Sequence, residues 1–313
     1  MKSQKAFKTS SASSTLPPSL HRGDSVALIR PASKLDEELF QKAVQNFRSL
    51  GYFVVLYPGT KRKHDFFSAS DETRAREISW AFSQPGIKAI FCCRGGYGSM
   101  RLPQYWTPQE LKRWKPKILL GYSDVTFLHQ WIHNRFGWVG FHAPLVGQIS
   151  SADIKDLLTN VQKLGTRKAE TWSECRLIRN GSAKGILYGG NLSLIQTHGA
   201  AELPRRKMIL ALEDVNEAHY RIDRMLWSLI HSGYSDWVEG IILGQFFQCG
   251  KNEKTVFEWQ WVLETLKKLC PHGPILSGAA FGHGLKRQRI LPLGAELQVE
   301  GRRLRWPKPL VQD

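Results

Sequence analysis

The chain is short of acid. Its 27 Asp and Glu face 44 Lys and Arg, a formal net charge of +17 over 313 residues. Such an imbalance bears on partners and not on fold: nucleic acid, an anionic envelope polymer or acidic small substrates would all be attracted. Cysteine is scarce too, at five, and no two are spaced as CxxC. That excludes a zinc ribbon, a thioredoxin-like site and a disulfide scaffold. Reduced thiols in a reducing compartment are expected. No apolar run approaches 18 residues, so no membrane span is expected. The opening MKSQKAFKTSSASSTLPPSL is basic but lacks an apolar h-region, so it does not read as a Sec signal. Residues 1–22 read instead as a flexible basic extension.

Nucleotide-binding signatures are missing as well. No Gly-x-x-x-x-Gly-Lys-Ser/Thr loop is present, and Gly96-x-Gly98 is followed by Arg101 where a dinucleotide fingerprint needs its last glycine. His129 and His133 stand four apart, but Gln130 occupies the position of a metalloprotease general base. A helix face is the reading, and neither metal nor cofactor is required. The positive charge is weighted to the two ends: Lys2, Lys5, Lys8 and Arg22, then Lys286, Arg287 and Arg289, then Arg302, Arg303, Arg305 and Lys308. No basic recognition helix accompanies it, which disfavours a DNA reader. A solubilising surface bias is the plain alternative.

What is present is an alternation of short apolar runs with helical periods. Val26–Ile29, Tyr52–Tyr57, Lys88–Cys93 and Ile118–Leu120 read as strands, with helices over Leu35–Leu50, Asp71–Phe82 and about Asp124–Arg135. That order predicts a parallel sheet covered by helices on both faces, with ligands at the carboxyl ends of the strands. Residues 23–147 form the expected N-terminal α/β unit and 148–184 a linker or helical connection. Residues 185–313 form a second unit, with strands Met208–Leu212 and Val238–Leu243 and helices from about Tyr220 and Val256.

Three features carry chemistry. Gly121-Tyr122-Ser123-Asp124 puts a serine on a strand-to-helix turn, next to amides at the positive end of a helix. The same residues also suit plain capping, and Val125 breaks the full Gly-x-Ser-x-Gly elbow. Arg94-Gly95-Gly96-Tyr97-Gly98-Ser99 follows a strand, and its glycines allow a tight turn with amides free for an oxyanion or for structure alone. His283 lies between Gly282 and Gly284, projected from a loop, while Glu213-Asp214 ends an apolar strand where a carboxylate would orient an imidazole. Ser123, Glu213 and His283 follow the order nucleophile, acid, base.

Taken together, Arg94-Gly-Gly-Tyr-Gly-Ser, Gly121-Tyr-Ser-Asp-Val-Thr, Gly189-Gly-Asn-Leu, Leu212-Glu-Asp-Val-Asn-Glu, Tyr220-Arg-Ile-Asp-Arg-Met-Leu and Phe281-Gly-His resemble the LD-carboxypeptidase family, which includes microcin C self-immunity peptidases. The resemblance runs from about Gly23 to Gly294. It implies a flavodoxin-like N-terminal domain, a smaller β-rich swivelling C-terminal domain, and usually a homodimer. It implies a serine peptidase with Ser123 as nucleophile, Glu213 as acid, His283 as base, and backbone amides of Gly96 and Asp124 as the oxyanion hole. Arg94 and Asn191 are candidates for holding substrate.

The implied reaction removes the terminal D-alanine of murein tetrapeptides in the cytoplasm, although the basic extension, longer than usual, leaves export open. Arg30 also departs from the family, standing where a small residue is favoured. A peptidase of peptidyl-nucleotides of the microcin C type is the near alternative. A non-catalytic murein or nucleic-acid binding protein is the distant one. On the preferred reading the positive charge attracts carboxylate-bearing wall peptides, with no nucleic-acid partner.

Overall fold

The computed structural model describes residues 16–58, 65–197, 204–250, 260–285 and 287–312. The first part alternates β1 (Ser25–Ile29), α1 (Glu37–Ser49), β2 (Phe53–Val55), α2 (Asp71–Ser83), β3 (Ile87–Cys92), α3 (Pro108–Leu111), β4 (Ile118–Gly121), α4 (Val125–Phe136) and β5 (Gly140–His142). α1 shows why these segments fold as they do. Asp36 caps it by accepting from Glu38 N–H, Glu37 and Glu38 occupy the first turn, and Arg48 the last; each charge complements the helix dipole. Phe40, Ala43, Val44 and Phe47, at helical spacing, are its buried face. Gly51 then turns the chain at φ +87°. The central strand β4 reads Ile-Leu-Leu-Gly and is buried throughout, as a parallel strand covered on both faces must be.

The second part contains α5 (Ser151–Gln162), β6 (Ala169–Thr171), β7 (Arg176–Arg179), β8 (Ser182–Asn191), α6 (Leu192–Thr197), β9 (Met208–Val215), α7 (His219–His231), β10 (Val238–Phe247), α8 (Gln260–Leu269), β11 (Ile275–Ser277), β12 (Leu291–Leu293), β13 (Glu296–Glu300) and β14 (Arg303–Arg305). Two sheets result. The six-stranded one runs β12-β5-β4-β3-β1-β2 and the eight-stranded one β6-β14-β13-β8-β9-β10-β11-β7. Strands β1 to β5 are mutually parallel in the order 2-1-3-4-5, the flavodoxin-like arrangement. In the second sheet β8, β9, β10 and β11 form a parallel centre, flanked by antiparallel β13 and β7. The fold is mixed α/β with two sheets.

One of three buried clusters among the described residues spans the two sheets. A continuous buried cluster runs from Leu20, Phe47 and Phe91 through Trp172 to Leu276, Phe281 and Leu291. Chain order and sheet membership part company in three places. Strand β12 comes late in the sequence yet pairs antiparallel with β5 in the first sheet, Leu291 opposite His142. Residues 148–184 hold α5, β6, β7 and the start of β8, with β6 and β7 as the outer edges of the second sheet. Within the stretch read as an extension, Ser19 N–H donates to Gln312 O at 2.7 Å and Leu20 is buried in the core. An apolar residue there finds cover that composition alone does not reveal. Residues 1–15 lie outside the described residues, as does the part of the Val256 helix before Gln260.

Candidate active site

Ser123 sits between β4 and α4 at φ +62°, one of three described non-glycine residues with positive φ. That conformation is strained for a residue with a Cβ and clusters at functional sites. Ser123 is partly exposed at this turn. The glycine loop packs directly against it: a Cβ on Gly95 would lie 2.9 Å from Ser123 Cβ and 3.1 Å from its Oγ.

Asp124 locks this loop. Its carboxylate is buried and accepts from Gly98 N–H at 3.2 Å and Ser99 N–H at 2.8 Å, while Ser99 Oγ donates to Asp124 O at 2.7 Å. It therefore makes no capping bond to α4. Arg74, fully buried, supports the loop from behind by donating to Gly98 O at 3.0 Å and Pro31 O at 2.5 Å, and it pairs with Asp71. Ser33 Oγ accepts from Tyr97 N–H at 3.1 Å. With these amides occupied, Gly96 N–H and Asp124 N–H are among the amides at the serine turn that have no acceptor among the described residues.

The second sheet supplies the acid, and the loop from β11 to β12 supplies the histidine. Glu213 lies inside β9, two residues before its end, and is completely buried. Its Oε2 accepts from His283 Nδ1 at 2.7 Å, with the His283 amide more distant at 3.4 Å. Gly282 permits this approach. At φ +104° it takes a conformation glycine alone adopts readily, and a Cβ there would meet Glu213 Cβ at 2.8 Å. Burial acts to raise the Glu213 pKa, yet interaction with His142 and His283 holds it down at about 2. The carboxylate is therefore ionised at neutral pH. The His283 ring packs 4.7 Å from the ring of Tyr122, the neighbour of Ser123. Tyr122 itself is pushed up to about 12 by burial and by the Glu213 charge. Among the described residues no hydrogen bond joins Ser123 to His283.

The other predicted residues fall as follows. Arg94 is half-buried just beyond β3, its Nε buried with no hydrogen-bond partner and the side chain in no ion pair among the described residues. Asn191 ends β8 and is buried; its Nδ2 donates to Asp214 Oδ1 at 3.0 Å and its Oδ1 accepts from Leu194 N–H at 3.3 Å. Asp214 also accepts from Ser193 N–H and Oγ, and burial, then the Glu213 charge, raise its pKa to about 6. His129 and His133 belong to the core. His129 Nε2 bonds Gly121 O at 2.9 Å and His133 Nδ1 bonds Trp138 O at 3.1 Å. Burial lowers both pKa values to about 4. No metal-ligating cluster occurs among the described residues, and no described helix is long and apolar enough to cross a membrane. Sequence reasoning missed the carboxylate role of Asp124, and it missed Arg74 and His142; Asp124 alone carried a local signal, as a capping residue.

Two linked sheets, with a strained serine turn on one and a buried carboxylate on the other bonded to a loop histidine, define a mixed α/β protein. Comparison with known proteins gives the family. Residues 26–143 match the LD-carboxypeptidase N-terminal domain and residues 184–299 the LD-carboxypeptidase C-terminal domain, so the chain belongs to the LD-carboxypeptidase family of peptidases. The probable murein peptide carboxypeptidase of Bacillus subtilis strain 168 is 33% identical over 293 residues, covering 90% of each chain. The murein tetrapeptide carboxypeptidase of Pseudomonas aeruginosa PAO1 is 28% identical over 301 residues, covering 90% of this chain and 94% of that one. Among solved structures, the muramoyltetrapeptide carboxypeptidase of Oxalobacter formigenes matches with a TM-score of 0.74 at 26% identity, covering 90% of this chain and 97% of that one. The microcin C7 self-immunity protein MccF matches in fold, with a TM-score of 0.81 at 22% identity over 95% of this chain and 100% of its own.

Proposed function

We propose that the protein is a serine carboxypeptidase that hydrolyses the L,D peptide bond to the terminal D-alanine of murein tetrapeptides. The observation that carries the reading is the 2.7 Å bond between buried Glu213 and His283 Nδ1. With Nδ1–H donated to the carboxylate, Nε2 is the free acceptor. It takes the proton of Ser123 as the hydroxyl attacks the scissile carbonyl, then delivers it to the departing D-amino acid. Gly96 and Asp124 amides receive the oxyanion, where preorganised donors act most strongly in the transition state. Water then repeats the cycle on the acyl-enzyme. Substrate draws Ser123 and His283 together across the cleft; catalytic hydrogen bonds are often long before substrate binds.

Arg94, a cation without an anionic partner, holds the substrate's terminal carboxylate. Asn191 acts through Asp214, keeping the end of β9 in place beside Glu213. The five cysteines are all buried free thiols, which fits a cytoplasmic site of action, and we take the working unit to be a homodimer. The murein relatives at 28–33% identity support this substrate over a peptidyl-nucleotide. Mass spectrometry of a murein tetrapeptide digest tests it. Wild type is expected to release D-alanine, and Ser123→Ala to lose roughly 10³-fold or more of turnover. Activity retained in purified Ser123→Ala would overturn the serine mechanism. Cleavage of a processed microcin in place of the tetrapeptide would move the substrate assignment.

A further inference from the structure

Glu213 has two carboxylate oxygens, and only one is accounted for. Oε2 accepts from His283, while Oε1 is buried with no hydrogen-bond partner among the described residues. A buried carboxylate oxygen left bare is costly, more so than a neutral group. A matching deficit lies beside it. His142, at the end of β5, is fully buried, and neither of its ring nitrogens has a hydrogen-bond partner. The two residues interact: His142 is among the groups that hold the Glu213 carboxylate down against the effect of burial.

The aromatic side chains packed on His142 make no hydrogen bond to its ring nitrogens. Tyr122 lies 5.5 Å away, centroid to centroid, and Phe281 meets it edge-on at 5.6 Å. In the sheet, His142 pairs with Gly121 on one side and Leu291 on the other. We propose that His142 is a positioning residue for the reaction, donating a ring N–H to Glu213 Oε1. The imidazole χ2 torsion is broad, so a modest ring rotation completes the bond without moving the backbone. The role goes beyond satisfying a buried oxygen. Gly121 is two residues before Ser123, so His142 belongs to the strand pair that carries the nucleophile turn. Its bond to Glu213 fixes the acid on the second sheet relative to the serine on the first.

This inference rests on Glu213 and His283 acting as the acid–base pair, so the experiment is arranged to separate the two. Folded His142→Leu and His142→Gln are assayed for kcat and KM on the murein tetrapeptide, alongside Ser123→Ala, Glu213→Gln and the double variant His142→Leu/Glu213→Gln. His142→Leu is expected to lower kcat about 10- to 100-fold, the effect of a lost hydrogen bond to a charged group, with KM within about twofold. His142→Gln, which keeps a donor, is expected to recover activity to within about threefold of wild type. In the Glu213→Gln background, His142→Leu is expected to cost nothing further, because residues acting through one another are non-additive. Should His142→Leu not fold, His142→Asn supplies a donor of shorter reach and is expected to show the same loss. Wild-type kcat in the leucine variant, or its full loss persisting on Glu213→Gln, overturns the role of His142. Activity in Ser123→Ala overturns the underlying mechanism instead.

Discussion

Asp124 and Ser99 grip each other twice: the Ser99 amide donates to Asp124 Oδ2 at 2.8 Å, and Ser99 Oγ donates back to Asp124 O at 2.7 Å. One residue follows the serine turn and the other closes the glycine loop, so the two proposed oxyanion donors, Gly96 and Asp124, are set at a fixed separation. Donors to developing negative charge act only if held in place beforehand.

Asp124→Asn tests this coupling. The backbone amide of residue 124 remains, but the charge-assisted bonds to Gly98 and Ser99 are lost. A fall in kcat of about 10- to 100-fold with little change in KM is expected. Steady-state kinetics on the tetrapeptide decide it. Unchanged kcat would mean that the loop holds its shape without the carboxylate.

Acid stability follows from the buried titratable groups, each with its own sign. His129 and His133 have folded pKa values lowered from 6.5 to about 4. The unfolded chain therefore binds more protons in that window, and their contribution is present above pH 6.5 and lost as pH falls through 4. Glu213 is lowered from 4.5 to about 2, so its contribution is present above pH 4.5 and lost as pH falls through 2; the displacement corresponds to roughly 3 kcal/mol. Asp214, raised from 3.8 to about 6, acts oppositely, favouring the fold as pH falls through that range. Urea midpoints are expected to fall from pH 6.5 to 4 and to keep falling below 4.5, and the lower limb is expected to flatten in Glu213→Gln. A midpoint flat from pH 7 to 3 would contradict the buried neutral histidines.

What the sequence reveals of the setting of Ser123 and His283 is local. Ser123 stands on a turn of four residues, and His283 between two glycines; glycine and cap chemistry are readable over such distances. The parallel order β1 to β5 was legible because apolar runs alternate with helical periods. His142 was not, since its place beside Glu213 depends on β5 of one sheet meeting the end of β9 of the other. Arg74 was hidden for the same reason: its acceptors, Pro31 and Gly98, come from distant loops. Strand β12 is not legible in the sequence either. Three residues, Leu-Pro-Leu, are too few to show a period, and Pro292 is tolerated because β12 is an edge strand.

Part of the charge excess gathers on one face. Lys168, Lys184, Lys207, Arg303, Arg305 and Lys308 line an open cavity of about 1290 Å³. Glu296 pairs with Lys184 at 2.9 Å and Lys308 at 3.0 Å, but Arg303 and Arg305 make no ion pair among the described residues. This cavity lies at the amino ends of β8 and β9, opposite the end that carries Glu213. From Lys207 to Glu213 is six residues of strand, about 20 Å at the rise of a β-strand. Screening in physiological salt acts over about 8 Å, so cations this far away contribute little to attracting a tetrapeptide carboxylate. Arg303→Gln/Arg305→Gln is therefore expected to leave KM at 0.15 M salt within about twofold of wild type. Arg94→Gln, beside the serine turn, is expected to raise KM about tenfold or more. A large KM rise in the double arginine variant instead would assign substrate attraction to the remote face.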